Sequence, residues 1–360
     1  MPLPNLPSRI RVMLVDDSPL ALELIGRALA VAPDIEVVGT ASNGLDALNK
    51  IPVLAPQVVC TDFHMPRMDG LQLTKEIMQR HPLPVLVMSG SLQPDQQDNI
   101  FAMLEAGALD VLAKPIGGKD RDMSLMVGDL IYKIRVLSGV KVFRRFGDRP
   151  AGVPATGFPG RPRPDMAKTS GEAARIVGIG ASTGGPLALE TILGALPEDF
   201  PLPIVCVQHI SHGFVRGLAD WLNTGCKLHV CIAQEGTVPQ PGVVYFAGDN
   251  RHLELDNRGR FKASKPSVAG GHCPSVDVAL SSLARCHRSA VVGILLTGMG
   301  EDGARGLLEI NRAGGFTIAQ NEESSVVFGM PKAAIDLGAA DRVLPVSDIA
   351  GALQQIVESR

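Results

Sequence analysis

The chain has 360 residues, 45% of them hydrophobic but only 4% aromatic, and a formal net charge of −3. That length suits two domains, or three, each able to bury an aliphatic core, and the near-neutral balance offers no electrostatic case for nucleic acid as a partner. Six cysteines are scattered without zinc-site spacing, Met1 to Ser8 lacks the apolar core of a signal peptide, and the longest apolar runs are strand-length. These features read as a cytoplasmic protein with free thiols and no membrane insertion.

The first apolar runs, Ile10 to Val15 and Val58 to Cys60, read as buried parallel strands and are followed by Asp16-Asp17 and by Asp62. In an open α/β sheet the C-terminal strand ends share one edge, so these three carboxylates converge in one crevice. They repel one another unless a hard cation joins them, and Mg²⁺ suits such oxygen ligands and phosphate alike. A carboxylate beside that metal can act as a nucleophile and become an aspartyl-phosphate. Two more strands, Pro84 to Met88 and Asp110 to Ala113, run into Ser89 and into Lys114-Pro115. A hydroxyl and an ammonium there suit the oxygens of a phosphoryl group. Taken singly, these residues also suit helix caps, a turn and a surface charge; together, at successive strand ends, they describe a phosphorylation switch.

With Met65-Pro66-Arg67-Met68-Asp69-Gly70 following Asp62, residues 8–137 resemble the response-regulator receiver family, a (βα)5 fold. The resemblance implies Asp62 as phosphoacceptor, Asp16, Asp17 and Asp62 as the Mg²⁺ site, and Ser89 and Lys114 as the switch pair. His64 stands where an acidic residue is commoner in that family.

Residues 138–173 are predicted to be a linker, since Gly147 to Gly171 holds five prolines and five glycines and almost no aliphatic pattern. Just before it, Lys141 and Arg144-Arg145 interleave with Val142, Phe143 and Phe146. That pattern reads as a basic amphipathic helix end, or as a docking surface for the second domain.

A second α/β pattern covers 174–360, and its fold is predicted to be doubly wound and mostly parallel. A strand from Arg175 to Ile179 leads through Gly180-Ala181-Ser182-Thr183-Gly184 into a helix. This fits the G-x-S-x-G elbow that exposes a nucleophilic serine; on the motif alone, a phosphate-binding glycine loop fits equally well. The next strand, Ile204 to Val207, separates the two readings. It ends in Gln208-His209 and not in the acidic residue a dinucleotide site needs. His209 is then placed as a general base for Ser182. The apolar strand Ala290 to Leu296 runs into Thr297-Gly298-Met299-Gly300-Glu301-Asp302-Gly303. Asp302 is the candidate acid that orients the histidine, with Glu301 its rival and a helix N-cap its ordinary role. Backbone N–H groups of Thr183, Met299 and Gly300 are the oxyanion candidates. The order Ser, His, Asp differs from that of the α/β-hydrolases.

Here the sequence resembles the chemotaxis response-regulator protein-glutamate methylesterases, the CheB family. The motifs are Gly178 to Gly185, Val207-Gln208-His209, Pro274 to Val278, Leu296 to Gly300, Ile318 to Asn321 and Val327 to Pro331. The resemblance implies Ser182 as nucleophile, His209 as base and Asp302 as orienting acid, with no cofactor for the esterase. It also implies hydrolysis of glutamate γ-methyl esters on methyl-accepting chemoreceptors, deamidation of receptor glutamines, and a histidine kinase as phosphodonor. The receiver is then expected to cover the active site until phosphorylated. Cys273 stands where arginine often precedes the proline, and Glu301 where a neutral residue is commoner.

Overall fold

The structure, a computed structural model, describes residues 9–90, 94–115, 120–142, 173–265 and 272–358. The proline-rich stretch Gly147 to Gly171 and the Arg144-Arg145 pair lie outside the described residues.

The first half alternates strand and helix: β1 (Ile10–Val15), α1 (Pro19–Leu29), β2 (Ile35–Ala41), α2 (Gly44–Leu54), β3 (Val58–Thr61), α3 (Gly70–Arg80), β4 (Val85–Ser89), α4 (Pro94–Glu105), β5 (Asp110–Ala113) and α5 (Asp120–Leu137). The five strands form one parallel sheet in the order β2-β1-β3-β4-β5. Val12 to Val15 and Val85 to Met88 have no solvent exposure, as continuous apolar strands covered on both faces require. The order in which strands are added to the sheet reverses between β1 and β3, so the crevice at that switch point receives the loops leaving both strands.

The second half runs through β6 (Ile176–Ala181), α6 (Gly185–Gly194), β7 (Ile204–Gln208), α7 (Val215–Gly225), β8 (His229–Ile232), β9 (Val243–Phe246), β10 (His252–Leu255), β11 (Phe261–Ser264), α8 (Val276–His287), β12 (Val291–Leu295), α9 (Ala304–Arg312), β13 (Phe316–Gln320), α10 (Met330–Asp336), β14 (Arg342–Leu344) and α11 (Val346–Glu358). Its seven-stranded sheet, β14-β13-β12-β6-β7-β9-β8, is parallel throughout. The antiparallel pair β10-β11 stands apart from it. The strand predicted to begin at Ala290 begins at Val291, because Arg288–Ala290 closes α8 with a short 3₁₀ turn. Here the switch point falls between β12 and β6, and it brings the loop after each strand together.

The two halves pack directly on one another. Phe101 of α4 stacks on Trp221 of α7 with ring centroids 5.3 Å apart, and the indole N–H donates to Glu105 at 2.8 Å. Stacked aromatic pairs contribute about 0.5–1.5 kcal/mol beyond the area they bury. Helix α5 lies over the switch point of the second sheet. Leu125, Gly128, Asp129 and Tyr132, spaced to share one helical face, line a cavity together with the loops after β6 and β7.

Candidate phosphorylation and hydrolase sites

At the end of β1, Asp16 is fully buried; Asp17, beside it, is exposed. Asp62 comes after β3 with 9% exposure. Ligand oxygens of Asp16, Asp17 and Asp62 all lie within 4.8 Å of one another. The loop after Asp62 is closed by Asp69, which caps α3 by accepting from the N–H of Gln72 at 2.7 Å. Gly70 then returns so close that a Cβ there would stand 2.2 Å from the Asp62 carbonyl, which explains the small residue in this motif.

Lys114, at the end of β5, places its ammonium 2.6 Å from Asp16 and 3.0 Å from Asp62. Burial pushes the Asp62 carboxyl above its ordinary pKa; Lys114 pulls it down, and Asp16 pushes it up again. Burial lowers the Lys114 ammonium, but the two aspartates outweigh this and hold it up. Three crowded carboxylates answered by one ammonium form an acidic pocket that favours a further cation. Ser89 ends the neighbouring strand, 6% exposed and in register with Ala113. His64 points outward, its ring edge-on to Phe63 at 4.6 Å.

In the second half, Ser182 leaves β6 in a sharp turn. Its N–H donates to the Thr297 carbonyl at 3.0 Å, and its carbonyl accepts from Gln208 Nε2 at 2.7 Å. The turn sits against the loop after β12, where a Cβ on Gly298 would stand 2.6 Å from that of Ser182. Only glycine permits this approach. His209 comes after β7 beside this turn, its N–H donating to the Ala181 carbonyl at 2.9 Å. Its ring Nε2 meets Asp302 Oδ2 at 2.8 Å, while Nδ1 is buried and has no hydrogen-bond partner among the described residues.

Asp302 does not cap α9, where Gly303 holds the cap position. Its carboxylate faces the start of α8, accepting from Ser275 Oγ at 2.8 Å and from the N–H groups of Val276 and Asp277 at 2.8 and 3.0 Å. A helix N-terminus is a natural seat for an anion. Burial alone would raise this carboxyl, but the His209 contact and the two backbone donors prevail and hold it well below the carboxylate range. Glu301 is exposed, and the carboxylate that meets His209 is that of Asp302.

Ser182, Thr183, His209 and Met299 line one cavity of about 670 Å³, whose far wall is α5. The backbone N–H groups of Thr183, Met299 and Gly300 donate to no acceptor among the described residues. Three features of this site had no forecast in the sequence. His272 stacks on His209, ring centroids 4.2 Å apart. Asp110 of β5 accepts from Thr183 Oγ1 at 2.7 Å. Buried Lys133 of α5 pairs with that same Asp110 oxygen at 2.6 Å. A larger groove between the halves, about 930 Å³ and bordered by Met78, Lys141, Pro186 and Phe328, does not reach Ser182.

An acidic switch-point pocket with a strand-end lysine, joined to a second sheet carrying a serine elbow and a histidine–aspartate pair, defines a response regulator whose output unit is a hydrolase. Comparison with known proteins agrees. The response regulator receiver domain matches residues 12–125, and the CheB methylesterase domain matches residues 177–353. The chain is 40% identical to a protein-glutamate methylesterase/protein-glutamine glutaminase of Syntrophus aciditrophicus, covering 97% of this chain and 99% of that protein. It is also 40% identical to one of Nitrosospira multiformis over 98% of each. Among solved structures, the CheB methylesterase catalytic domain of Thermotoga maritima is 41% identical, with a TM-score of 0.50, over 51% of this chain and 100% of that one. The protein belongs to the CheB methylesterase family.

Proposed function

We propose that this protein is a phosphorylation-activated protein-glutamate methylesterase, with its receiver at 8–137, a linker at 138–173 and its hydrolase at 174–360. The substrate is a glutamate γ-methyl ester on the cytoplasmic part of a chemoreceptor, and a receptor glutamine is the alternative substrate for deamidation. The observation that carries this reading is the 2.8 Å contact between His209 and Asp302 beside Ser182.

Ser182 Oγ attacks the ester carbonyl and passes its proton to Nδ1 of His209, the ring nitrogen left free by Asp302. This inverts the more familiar use of the two ring nitrogens, in which Nδ1 faces the acid. Asp302 stabilises the resulting imidazolium, and the N–H groups of Thr183, Met299 and Gly300 face the oxyanion. Collapse breaks the ester C–O bond, and methanol leaves with the proton from Nδ1. Water then attacks the acyl-serine with His209 as base, releasing glutamate and restoring Ser182. With a glutamine, ammonia leaves in place of methanol.

In the receiver, Asp62 takes the phosphoryl group from a histidine kinase, and Lys114 and Ser89 meet its oxygens. The carboxylates of Asp16, Asp17 and Asp62 are hard oxygen donors within reach of one ion, which fits Mg²⁺. When bound, that ion supplies positive charge to offset the crowded carboxylates and the incoming phosphoryl oxygens.

No helix among the described residues is long and apolar enough to cross a membrane, in keeping with a cytoplasmic enzyme acting on a receptor's inner domain. The test is methanol release from a peptide carrying a glutamate methyl ester. Wild-type protein given a phosphodonor is expected to release it and Ser182→Ala to release none; equal release by both refutes the assignment.

A further inference from the structure

The stretch from His272 to Asp277 grips both partners of the catalytic pair. At one end, Ser275 Oγ and the N–H groups of Val276 and Asp277 hold the Asp302 carboxylate. At the other, the His272 ring lies nearly parallel to that of His209, 4.2 Å between centroids and 19° between planes. The N–H of Ser275 also donates to Nδ1 of His252 at 3.1 Å, which ties the stretch to β10. A hydrogen bond through one ring nitrogen fixes an edge of an imidazole but leaves it free to tilt about that edge. A flat group against its face removes the tilt.

We propose that His272 is a positioning residue of the methylesterase, holding the His209 ring so that Nδ1 stays aimed at Ser182. The inference rests on the catalytic reading of His209 given above and assigns a role that His272 fills without touching the nucleophile. His272 is itself exposed on its outer side and borders the substrate cavity.

The stacked face also has an electrostatic consequence. During acylation His209 becomes positive, and a neutral aromatic face is a favourable neighbour for that charge. A second positive ring would oppose it. The protein packed about its inner face, together with His209 and Lys133, holds the His272 pKa below its usual value, while Asp302 acts in the opposite sense. Asp129 and Tyr132 of α5, His212 and Cys273 also border the same cavity.

The experiment uses the whole chain, phosphorylated with acetyl phosphate and Mg²⁺, and follows methanol release from a glutamate methyl ester peptide. His272→Ala and the volume-matched His272→Leu are expected to lower kcat about ten- to a hundredfold, as loss of catalytic alignment does, with KM little changed. His272→Phe, which keeps a flat neutral face, is expected to recover kcat to within about threefold of wild type, since it restores the stacking. Wild-type kcat in His272→Leu, or His272→Phe no better than His272→Leu, overturns the proposal. Should His272→Ala not fold, the Phe and Leu variants decide. His209→Gln run in parallel separates the two readings: it is expected to be inactive, and activity there refutes the role of His209, not of His272.

Discussion

Thr183, the residue after the candidate nucleophile, donates its hydroxyl to Asp110 on the first strand-and-helix unit at 2.7 Å. The same Asp110 oxygen receives the Lys133 ammonium at 2.6 Å, so one carboxylate ties α5 to the serine turn. Phe101 and Trp221 pin a second point of the same interface. The receiver therefore stands over the active site by specific contacts, not merely by tethering, and a tethered interface stays largely closed even when weak.

The first prediction concerns this contact. With Lys133 removed, Asp110 is left as a carboxylate in a closed interface without its cation, a situation that costs about 3–5 kcal/mol when the group is buried. Water relieves that penalty only when the halves separate. Lys133→Met is thus expected to raise methanol release by the unphosphorylated chain toward the phosphorylated rate. An unchanged basal rate would show that the Asp110 contact does not restrain the enzyme.

Opening is also visible directly. Trp221 is the only tryptophan in the chain, and its indole is stacked and hydrogen-bonded across the interface. Acetyl phosphate with Mg²⁺ is expected to shift its emission to the red in the wild type and leave Asp62→Asn unchanged. The fragment 174–360 is expected to release methanol faster than the unphosphorylated whole chain and to ignore the phosphodonor. Equal rates for the two would leave the receiver a targeting module.

For the phosphoacceptor, the sign of the pKa shift gives a stability test. Burial and Asp16 raise the Asp62 pKa. The folded state therefore holds this proton more tightly than the unfolded one, and stability falls as pH rises from the unfolded pKa through the folded one. At neutral pH without divalent ions, Asp62→Asn is expected to melt at a higher temperature than wild type and to accept no phosphoryl group. Added Mg²⁺ is expected to raise the wild-type melting temperature more than that of Asp62→Asn. A variant that melts lower, or that is phosphorylated at normal yield, contradicts the assignment.

Asp302 carries the opposite sign. Its pKa is held down by His209 and by the start of α8, so its contribution to stability is present above the unfolded carboxylate pKa of about 4 and is lost as pH falls through its depressed folded value. Asp302→Asn is expected to lower kcat by about 10⁴-fold through the wrong histidine tautomer. It is also expected to melt below wild type at neutral pH, because an amide offers only one oxygen to donors that now use both. Exposed Glu301 is the control: Glu301→Gln is expected near wild type in rate and melting temperature. A dead Glu301→Gln beside an active Asp302→Asn would move the acid to Glu301.

The chain's order of residues determined features that are local and repeat along it. Apolar runs with a single polar group at their ends specified strands, and parallel strands in an open sheet deliver those ends to one edge. Asp16, Asp62, Ser89 and Lys114 were legible for that reason, as were Ser182 and His209. Asp302 was legible as a residue, but its partners were not. It reads as the cap of the helix after it, and only the packing of α8 against α9 gives it the N-terminus of α8. His272, Lys133 and Asp110 carried no such signal. Their roles depend on which faces of α5 and of the segment before α8 meet the switch point of the second sheet. That is a contact between surfaces remote in the chain, fixed by how two separately formed sheets pack, and no periodicity within either sheet encodes it.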